Sequence, residues 1–430
     1  MGEAFRGLTL RGKSLISVSV ALVLLSFLLG EKDLMRAAAL VGILPLASVV
    51  VISRTRYRIS SSRVLDPVRV EVGQQARVTL RLRNRSRVPT GTMMLEDRLP
   101  YALGNRPRLV LERLLGGGGS AVSYTVCAEN RGRYDIGPLI VRLTDPFGLV
   151  ELTRSYPAVD HLTVIPTITP LPTVRMPGEH AASGDSRSRA VAVHGDDDAA
   201  TREYRHGDDL RRVHWPTTAK AGELMVRREE QPWDSRATVL LDVRAAGHRG
   251  ESVGSSFEWA VSAAASVTHN LRVGGYKLRM VTETADLTPE TSGDGAIMDH
   301  LAAVRTERRT DVGGLIEQLN RRDRGGLIVA ILGMVTEKEA KQLAGLRTSG
   351  ATCVALLMDA TTWQQLPEGQ RGEADRAFQS STLTLMRAGW RVIAVRHGAH
   401  LPHLWHELSR GTQGFAERAT MAETISGGSR

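Results

Sequence analysis

At 430 residues, with 56 Lys and Arg against 46 Asp and Glu, the chain carries a formal net charge of +10 and has room for more than one domain. The charge is spread as Arg interleaved with Asp and Glu, and aromatics make up only 4%, so no basic tract with stacking side chains marks a nucleic-acid binder. Arginine lying near an anionic inner leaflet accounts for the excess. The two cysteines, Cys127 and Cys353, sit in apolar or β-prone sequence; they give no disulfide framework and are expected to be buried.

Two apolar runs, Ser14–Gly30 and Leu34–Ile52, flank a short loop around Glu31, Lys32 and Asp33. Each reaches roughly 25 Å as a helix, near the short end of what spans a bilayer. Pro45 in the second run is tolerated better in a membrane than in water. Arg6, Arg11 and Lys13 precede the first run and Arg54, Arg56, Arg58 and Arg63 follow the second, whereas the loop is nearly neutral. The positive-inside rule therefore predicts a transmembrane helical hairpin over 1–56, with both termini and the C-terminal body in the cytoplasm. Gly30-Glu31-Lys32 is a poor signal-peptide cleavage site, which weighs against a removed leader.

Residues 57–167 alternate with period two, as in Val68–Val72, Ala76–Arg83 and Ala121–Val126, with turns at Asn84–Ser86, Gly116–Gly119 and Asn130–Gly132. That pattern predicts an immunoglobulin-like β-sandwich. The stretch 168–200, with Pro170, Pro172 and Pro177 and then Gly-, Ser- and Asp-rich sequence, reads as a linker. Residues 201–236 hold a central Arg/Asp segment, and 237–408 alternate near-continuous apolar strands (Thr238, Tyr276, Leu327, Cys353 and Trp390 begin them) with helices. This predicts a doubly wound, mainly parallel α/β domain whose ligands would sit at the strand carboxyl ends, just after Asp242. The polar tail 409–430 is expected to be disordered.

The densest polar stretch runs from Arg202 to Trp215 and holds Glu203, Tyr204, Arg205, Gly207, Asp208, Asp209, Arg211, Arg212 and His214. Its guanidinium forks suit a carboxylate or phosphate bidentately, as a docking surface or pocket. The same residues serve equally as an arginine–carboxylate network that organises the junction between domains. Gly250-Glu-Ser252-Val-Gly254 matches the nucleophile-elbow pattern, but a loose stretch separates Ser252 from the preceding strand. His397, His400, His403 and His406 recur every third residue, and such steps leave only neighbouring pairs on one helix face, so they read as surface histidines.

Two motifs, Arg131-Gly-Arg-Tyr-Asp-Ile-Gly-Pro138 with Asp145-Pro-Phe-Gly-Leu149, and Arg202–Trp215 with Ala219-Lys220 and Leu224–Arg227, make the chain resemble the domain of unknown function 58 family. The resemblance implies a von Willebrand factor A-like fold for the C-terminal domain. It also implies a MoxR-type AAA+ ATPase as partner, with a transglutaminase-like membrane protein as a second candidate, in envelope-related assembly. It implies no known reaction and no cofactor. A metal-ion-dependent adhesion site needs Asp-x-Ser-x-Ser after the first strand, whereas this chain has Asp242-Val-Arg244-Ala-Ala246. Both hydroxyl ligands are gone, and Arg244 is expected near the place a cation would take, offsetting Asp242. The reading is thus a non-enzymatic, membrane-anchored adaptor or scaffold. Its alternatives are a metal-ion-dependent binding module through Asp242 and a serine hydrolase through Ser252.

Overall fold

A computed structural model describes residues 7–54, 59–87, 89–145, 147–172, 201–204, 213, 215–227, 236–288, 293, 295–308, 311–320, 326–346, 351–364 and 367–410. The chain divides into two compact units, one of residues 1–168 with 295–305, the other of 169–294 with 306–430.

The first unit opens with α1 (Leu10–Leu29) and α2 (Lys32–Arg54), both long and apolar enough to cross a membrane. Their apolar side chains face outward, Leu10, Phe27 and Leu28 being 84%, 75% and 82% exposed, which a core helix of a water-soluble domain would not show. Small residues bring the pair together: the Ser19 hydroxyl donates to the Ala38 carbonyl at 2.8 Å, and a Cβ on Gly42 would lie 2.6 Å from that hydroxyl oxygen. Gly30, at φ 71°, ends α1 in the left-handed conformation.

Strands β1 (Ile59–Asp66), β2 (Arg69–Glu71), β3 (Gln75–Asn84), β4 (Met93–Asp97), β5 (Arg108–Leu111), β6 (Gly119–Cys127), β7 (Gly132–Ile136), β8 (Leu139–Thr144), β9 (Glu151–Tyr156) and β10 (Asp160–Ile165) follow. They pair as β1-β3-β6, β2-β10-β7 and β5-β4-β8-β9. The alternation of β3 buries Ala76, Val78, Leu80 and Leu82 and leaves Arg77, Arg81 and Arg83 outside. Leu80 and Leu82 join Ile59, Met93, Leu95 and Val141 in one core, while Ala76 and Val78 join Val126, Ile136, Leu162 and Val164 in another. A buried ion pair also lies among these strands. Arg63 forks onto both oxygens of Asp97 at 3.0 and 2.7 Å and reaches Asp160 at 2.6 Å, and the Tyr124 hydroxyl donates to Asp97 at 2.6 Å. Burial, then the neighbouring Asp97 charge, push the Tyr124 phenol well above its ordinary range.

Both parts of the family-like motif in this unit have structural work. Arg131 donates to the carbonyls of Leu301 (2.8 Å) and Val304 (2.7 Å) and so caps the C-terminus of the helix Ala296–Ala303, which packs on β7 and β10. Asp145 accepts from the backbone amides of Leu149 (2.6 Å) and Val150 (2.7 Å), shaping a loop that receives the base of α1. There Thr9 donates its amide to Leu149 O (3.0 Å) and its hydroxyl to Gly148 O (2.8 Å), while Leu8, Leu15 and Val49 pack on Leu149 and Val150.

In the second unit β11 (Thr201–Glu203) pairs with β12 (Met225–Arg227), and α3 (Trp215–Ala221) stands between them in sequence. Then come β13 (Arg236–Leu241), α4 (Ser256–Val273), β14 (Lys277–Val281) and β15 (Asp286–Leu287). After the helix Ala296–Ala303, now α5, follow α6 (Gly313–Asn320), β16 (Leu327–Leu332), α7 (Glu337–Ala344), β17 (Thr352–Met358), α8 (Glu368–Arg387), β18 (Arg391–Val395) and α9 (Leu401–Arg410). The sheet order is β15-β14-β13-β16-β17-β18, parallel except for β15. Every residue of β16 is buried, as a strand covered on both faces requires. Leu240, Ile328, Ala330 and Leu332 pack with Leu315, Leu319, Leu343 and Leu385 of α6, α7 and α8, whereas α4 packs on β13, β14 and β16.

Two expectations change in detail. Cys127 is exposed, because Val126 and Ala128 take the core side of β6 and period-two alternation turns the cysteine outward. Residues 295–305, read as part of the α/β domain, group with the β-rich unit.

The joint at Gly12 supplies a test, since a Cβ there would lie 2.4 Å from the Leu149 carbonyl oxygen, a backbone atom that cannot step aside. Gly12→Val is expected to lower the melting temperature of the detergent-purified chain, by about 1–3 kcal/mol of overpacking. Gly30→Asn, at an open position whose left-handed φ asparagine tolerates, should change it far less.

Candidate functional site

The strand order reverses at β13. The chain moves outward to β14 and then returns to β16 on the other side, so the carboxyl ends of β13 and β16 form the switch point where doubly wound sheets bind their ligands. Asp242 stands at that point, fully buried, with its amide donating to Ile331 O at 3.0 Å. Its Oδ1 accepts from the Arg244 amide (3.0 Å) and Nε (2.9 Å); its Oδ2 accepts from Arg244 Nη2 (2.7 Å) and the Gly333 amide (3.1 Å).

Arg244 is only 2% exposed. Besides the fork onto Asp242, its Nη1 donates to Glu339 Oε1 at 2.5 Å and its Nη2 to Met334 O at 3.1 Å. Glu339 is fixed in turn by the capping box of α7, where its Oε2 accepts from the Thr336 amide and hydroxyl, both at 2.8 Å. Glycine lets the two loops meet: a Cβ on Gly333 would lie 2.4 Å from the Gly247 carbonyl oxygen. One guanidinium thus bridges two buried carboxylates, and its Asp242–Glu339 surroundings hold its pKa above the ordinary arginine value despite the opposing effect of burial.

Two further titratable groups adjoin this cluster. Glu283 is 4% exposed; its Oε2 accepts from the Val243 amide at 3.3 Å, and its Oε1 has no hydrogen-bond partner among the described residues. Burial, reinforced by the Asp242 charge, pushes its carboxyl up to about 7. His248 lies with Nε2 2.9 Å from Asp242 O and Nδ1 3.2 Å from Ser256 Oγ. A carbonyl can only accept, so Nε2 carries the proton and Nδ1 accepts from the serine. Burial lowers the His248 pKa below its ordinary value, against the upward pull of Asp242, and keeps the ring neutral.

This donor set does not suit a divalent cation. Both Asp242 oxygens are already held by a cation and by amides, and positions 244 and 246 offer no hydroxyl. Among the described residues, no group of three or more His, Cys, Asp and Glu side chains is placed to hold a metal ion.

The central segment is only partly described. Arg202 and Glu203 lie on β11 opposite Val226 and Met225, Glu203 is exposed, and the Tyr204 amide donates to Leu224 O at 2.8 Å. Trp215 begins α3 and is 67% exposed. Arg205, Gly207, Asp208, Asp209, Arg211, Arg212 and His214 lie outside the described residues, as do Asp196–Asp198 of the linker.

Ser252 takes φ 54°, the left-handed conformation, but stands in a loop well beyond the end of β13, and the nearby His248 is committed to Asp242 O and Ser256. His403 and His406 lie on the exposed face of α9, opposite buried Leu401, Trp405 and Leu408. The residues that sequence reasoning missed are His248, Glu283 and Glu339. Only Glu339 left a signal, as the fourth member of Thr336-x-x-Glu339, and that signal spoke of a helix cap.

Residues 200–388 match the family described as "Protein of unknown function DUF58". The uncharacterized protein YeaD of Bacillus subtilis is 28% identical over 242 residues, covering 54% of this chain and 58% of that protein. The chain therefore spans little more than half the length of this relative. Among solved structures, a CARDB domain from Pyrococcus furiosus aligns over 25% of this chain and 93% of its own, at 13% identity and a TM-score of 0.20. The sporulation control protein Spo0M of Bacillus subtilis aligns over 25% and 49%, at 11% identity and a TM-score of 0.16. At such scores neither likeness carries an argument about this chain.

Two predictions follow from the cluster. Arg244→Ala strands Asp242 and Glu339 as buried, unpaired carboxylates and is expected to cost about 3–5 kcal/mol in a denaturant titration of the full chain. Arg244→Lys, which keeps the charge but not the fork, should recover only part of that loss. The second concerns pH. The Glu283 carboxyl titrates higher folded than unfolded, so the folded state binds the extra proton and stability falls as pH rises from about 4.5 through about 7. Glu283→Gln is expected to remove that fall and to raise stability at pH 8 by at most about 3 kcal/mol, read as melting temperature against pH.

Proposed function

We propose that the chain is a membrane-anchored, non-enzymatic adaptor or scaffold, with its body facing the cytoplasm, that works with a MoxR-type AAA+ ATPase in envelope-related assembly. In this reading the β-rich unit is an immunoglobulin-like sandwich and the α/β unit a von Willebrand factor A-like domain whose metal seat has been taken over by arginine. The observation that carries it is the fork of Arg244 on Asp242 at the switch point. A position that would otherwise bind a ligand or ion is closed by the protein's own cation, braced by Glu339. Chemistry at that point would need an open seat, whereas a rigid binding module does not. The outward-facing apolar surface of α1 and the arginines flanking the hairpin support anchoring with the body inside. The Arg202–Trp215 segment, with an exposed tryptophan at its end, is the docking surface in this reading.

The test is binding of the detergent-purified full chain to a MoxR-type ATPase loaded with magnesium nucleotide. Wild type is compared with Arg211→Ala/Arg212→Ala and Asp242→Asn/Arg244→Met, each checked for folding. Binding is expected to weaken at least tenfold in the first variant and to persist in the second. No binding by the folded wild type, or loss only in the Asp242 variant, would sink the adaptor reading as stated.

A further inference from the structure

The outer face of β1-β3-β6 carries a row of arginines set among small side chains. On β3, Arg81 lies between Ser62 of β1 and Ala121 of β6, and Arg83 lies between Ser60 and Gly119. Arg85 continues the row and donates from Nε to the Ser60 hydroxyl at 3.3 Å. With no large neighbour on either flank, the arginines line an open groove of about 560 Å³, with hydroxyls of Ser60 and Ser62 along it.

The row has no internal counter-charge. Among the described residues no carboxylate comes within ion-pair distance of Arg81, Arg83 or Arg85, although Arg63 on the inner side of β1 has two. Arg81 and Arg83 stand on one face two residues apart, roughly 7 Å, where like charges repel. A face built this way is stabilised by an external anion, and guanidinium forks with adjacent hydroxyls match the oxygens of a phosphate.

The position of the row selects the source of that phosphate. Ile59, which opens β1 just after the hairpin, shares a core with Leu82, Met93 and Leu143. From Leu143, β8 runs directly into the Asp145 loop that holds Thr9 at the base of α1. The end of the sheet that carries Ser60, Arg83, Arg85 and Gly119 is therefore the end fastened to the apolar hairpin.

We infer that the Arg81–Arg83–Arg85 groove binds the headgroup phosphate of anionic phospholipids at the membrane surface. It holds the β-rich unit against the leaflet from which the hairpin emerges. Each arginine near an anionic surface strengthens such binding severalfold. The inference rests on the hairpin lying in a membrane, which alkaline carbonate extraction of membranes containing the full chain reads separately.

The groove itself is tested on the full chain in neutral detergent, by native mass spectrometry with dioctanoyl phosphatidylglycerol, dioctanoyl phosphatidylcholine and inorganic phosphate as probes. Wild type is expected to bind phosphatidylglycerol roughly tenfold or more tightly than phosphatidylcholine. Arg81→Gln/Arg83→Gln should lose that preference with an unchanged melting temperature, since both side chains are exposed. Arg371→Gln/Arg376→Gln on α8, a control of equal charge change, should keep it. Equal binding of the two lipids, an unaltered preference in Arg81→Gln/Arg83→Gln, or an equal loss in the control would overturn the inference. Inorganic phosphate displacing the lipid at comparable concentration would also overturn it, by assigning the groove to a soluble anion. Carbonate extracting the chain while the lipid preference holds would fault the anchoring and leave the groove intact.

Discussion

The α/β unit turns on one charge placed where water cannot reach it. Asp242, just past the carboxyl end of β13, would be untenable alone, because an ionised carboxylate in an apolar interior costs several kcal/mol. Arg244 follows two residues later and folds back to satisfy it with two side-chain bonds and a backbone bond. The same guanidinium ties in Glu339 at the start of α7 and the carbonyl of Met334, so the loops after β13 and β16 and the first turn of α7 are held by a single group. Removing either partner leaves a buried charge, and that is why this pair constrains everything around it.

The surroundings carry the electrostatic consequence. Glu283 faces the Asp242 charge with one oxygen unpartnered and a carboxyl raised to about 7. His248 is kept neutral and uses its one N–H on the Asp242 carbonyl. The interior therefore tolerates one arginine and the carboxylates it can reach, and makes further charge expensive. In the β-rich unit the same economy recurs: Arg63 is shared between Asp97 and Asp160, with the Tyr124 hydroxyl donating a further bond to Asp97. Both cases use one guanidinium fork to neutralise two carboxylates, which its planar geometry suits better than the point charge of lysine.

The β-rich unit and the apolar hairpin are joined by backbone rather than by side-chain charge. Asp145 shapes the loop, Gly12 allows helix and loop to touch, and Thr9 gives both of its donors to the loop's carbonyls. Such a joint fixes orientation more firmly than a flexible linker would. The arginine-lined sheet face accordingly has a defined relation to the hairpin base.

Local pattern was enough to read much of this protein from its sequence. The apolar runs of α1 and α2, the period-two arginines of β3 and the continuous apolar run of β16 are statements about neighbours in the chain, and burial enforces them. Alternation also contained the correct placement of Cys127, between two core-facing residues, although composition around it suggested otherwise. The loss of hydroxyls at 244 and 246 was equally legible, and it raised the expectation that Arg244 would offset Asp242. What the sequence could not supply was the reach of one side chain to another far along the chain. Glu339 lies 95 residues from Arg244 and Glu283 lies 40 from Val243, and neither approach has a local signature. The attachment of residues 295–305 to the β-rich unit, through Arg131 and the helix they form, was likewise invisible. Secondary structure follows from the periodicity of what is buried; the partners of a buried charge follow from which strand ends the sheet order brings together, and only the folded chain decides that.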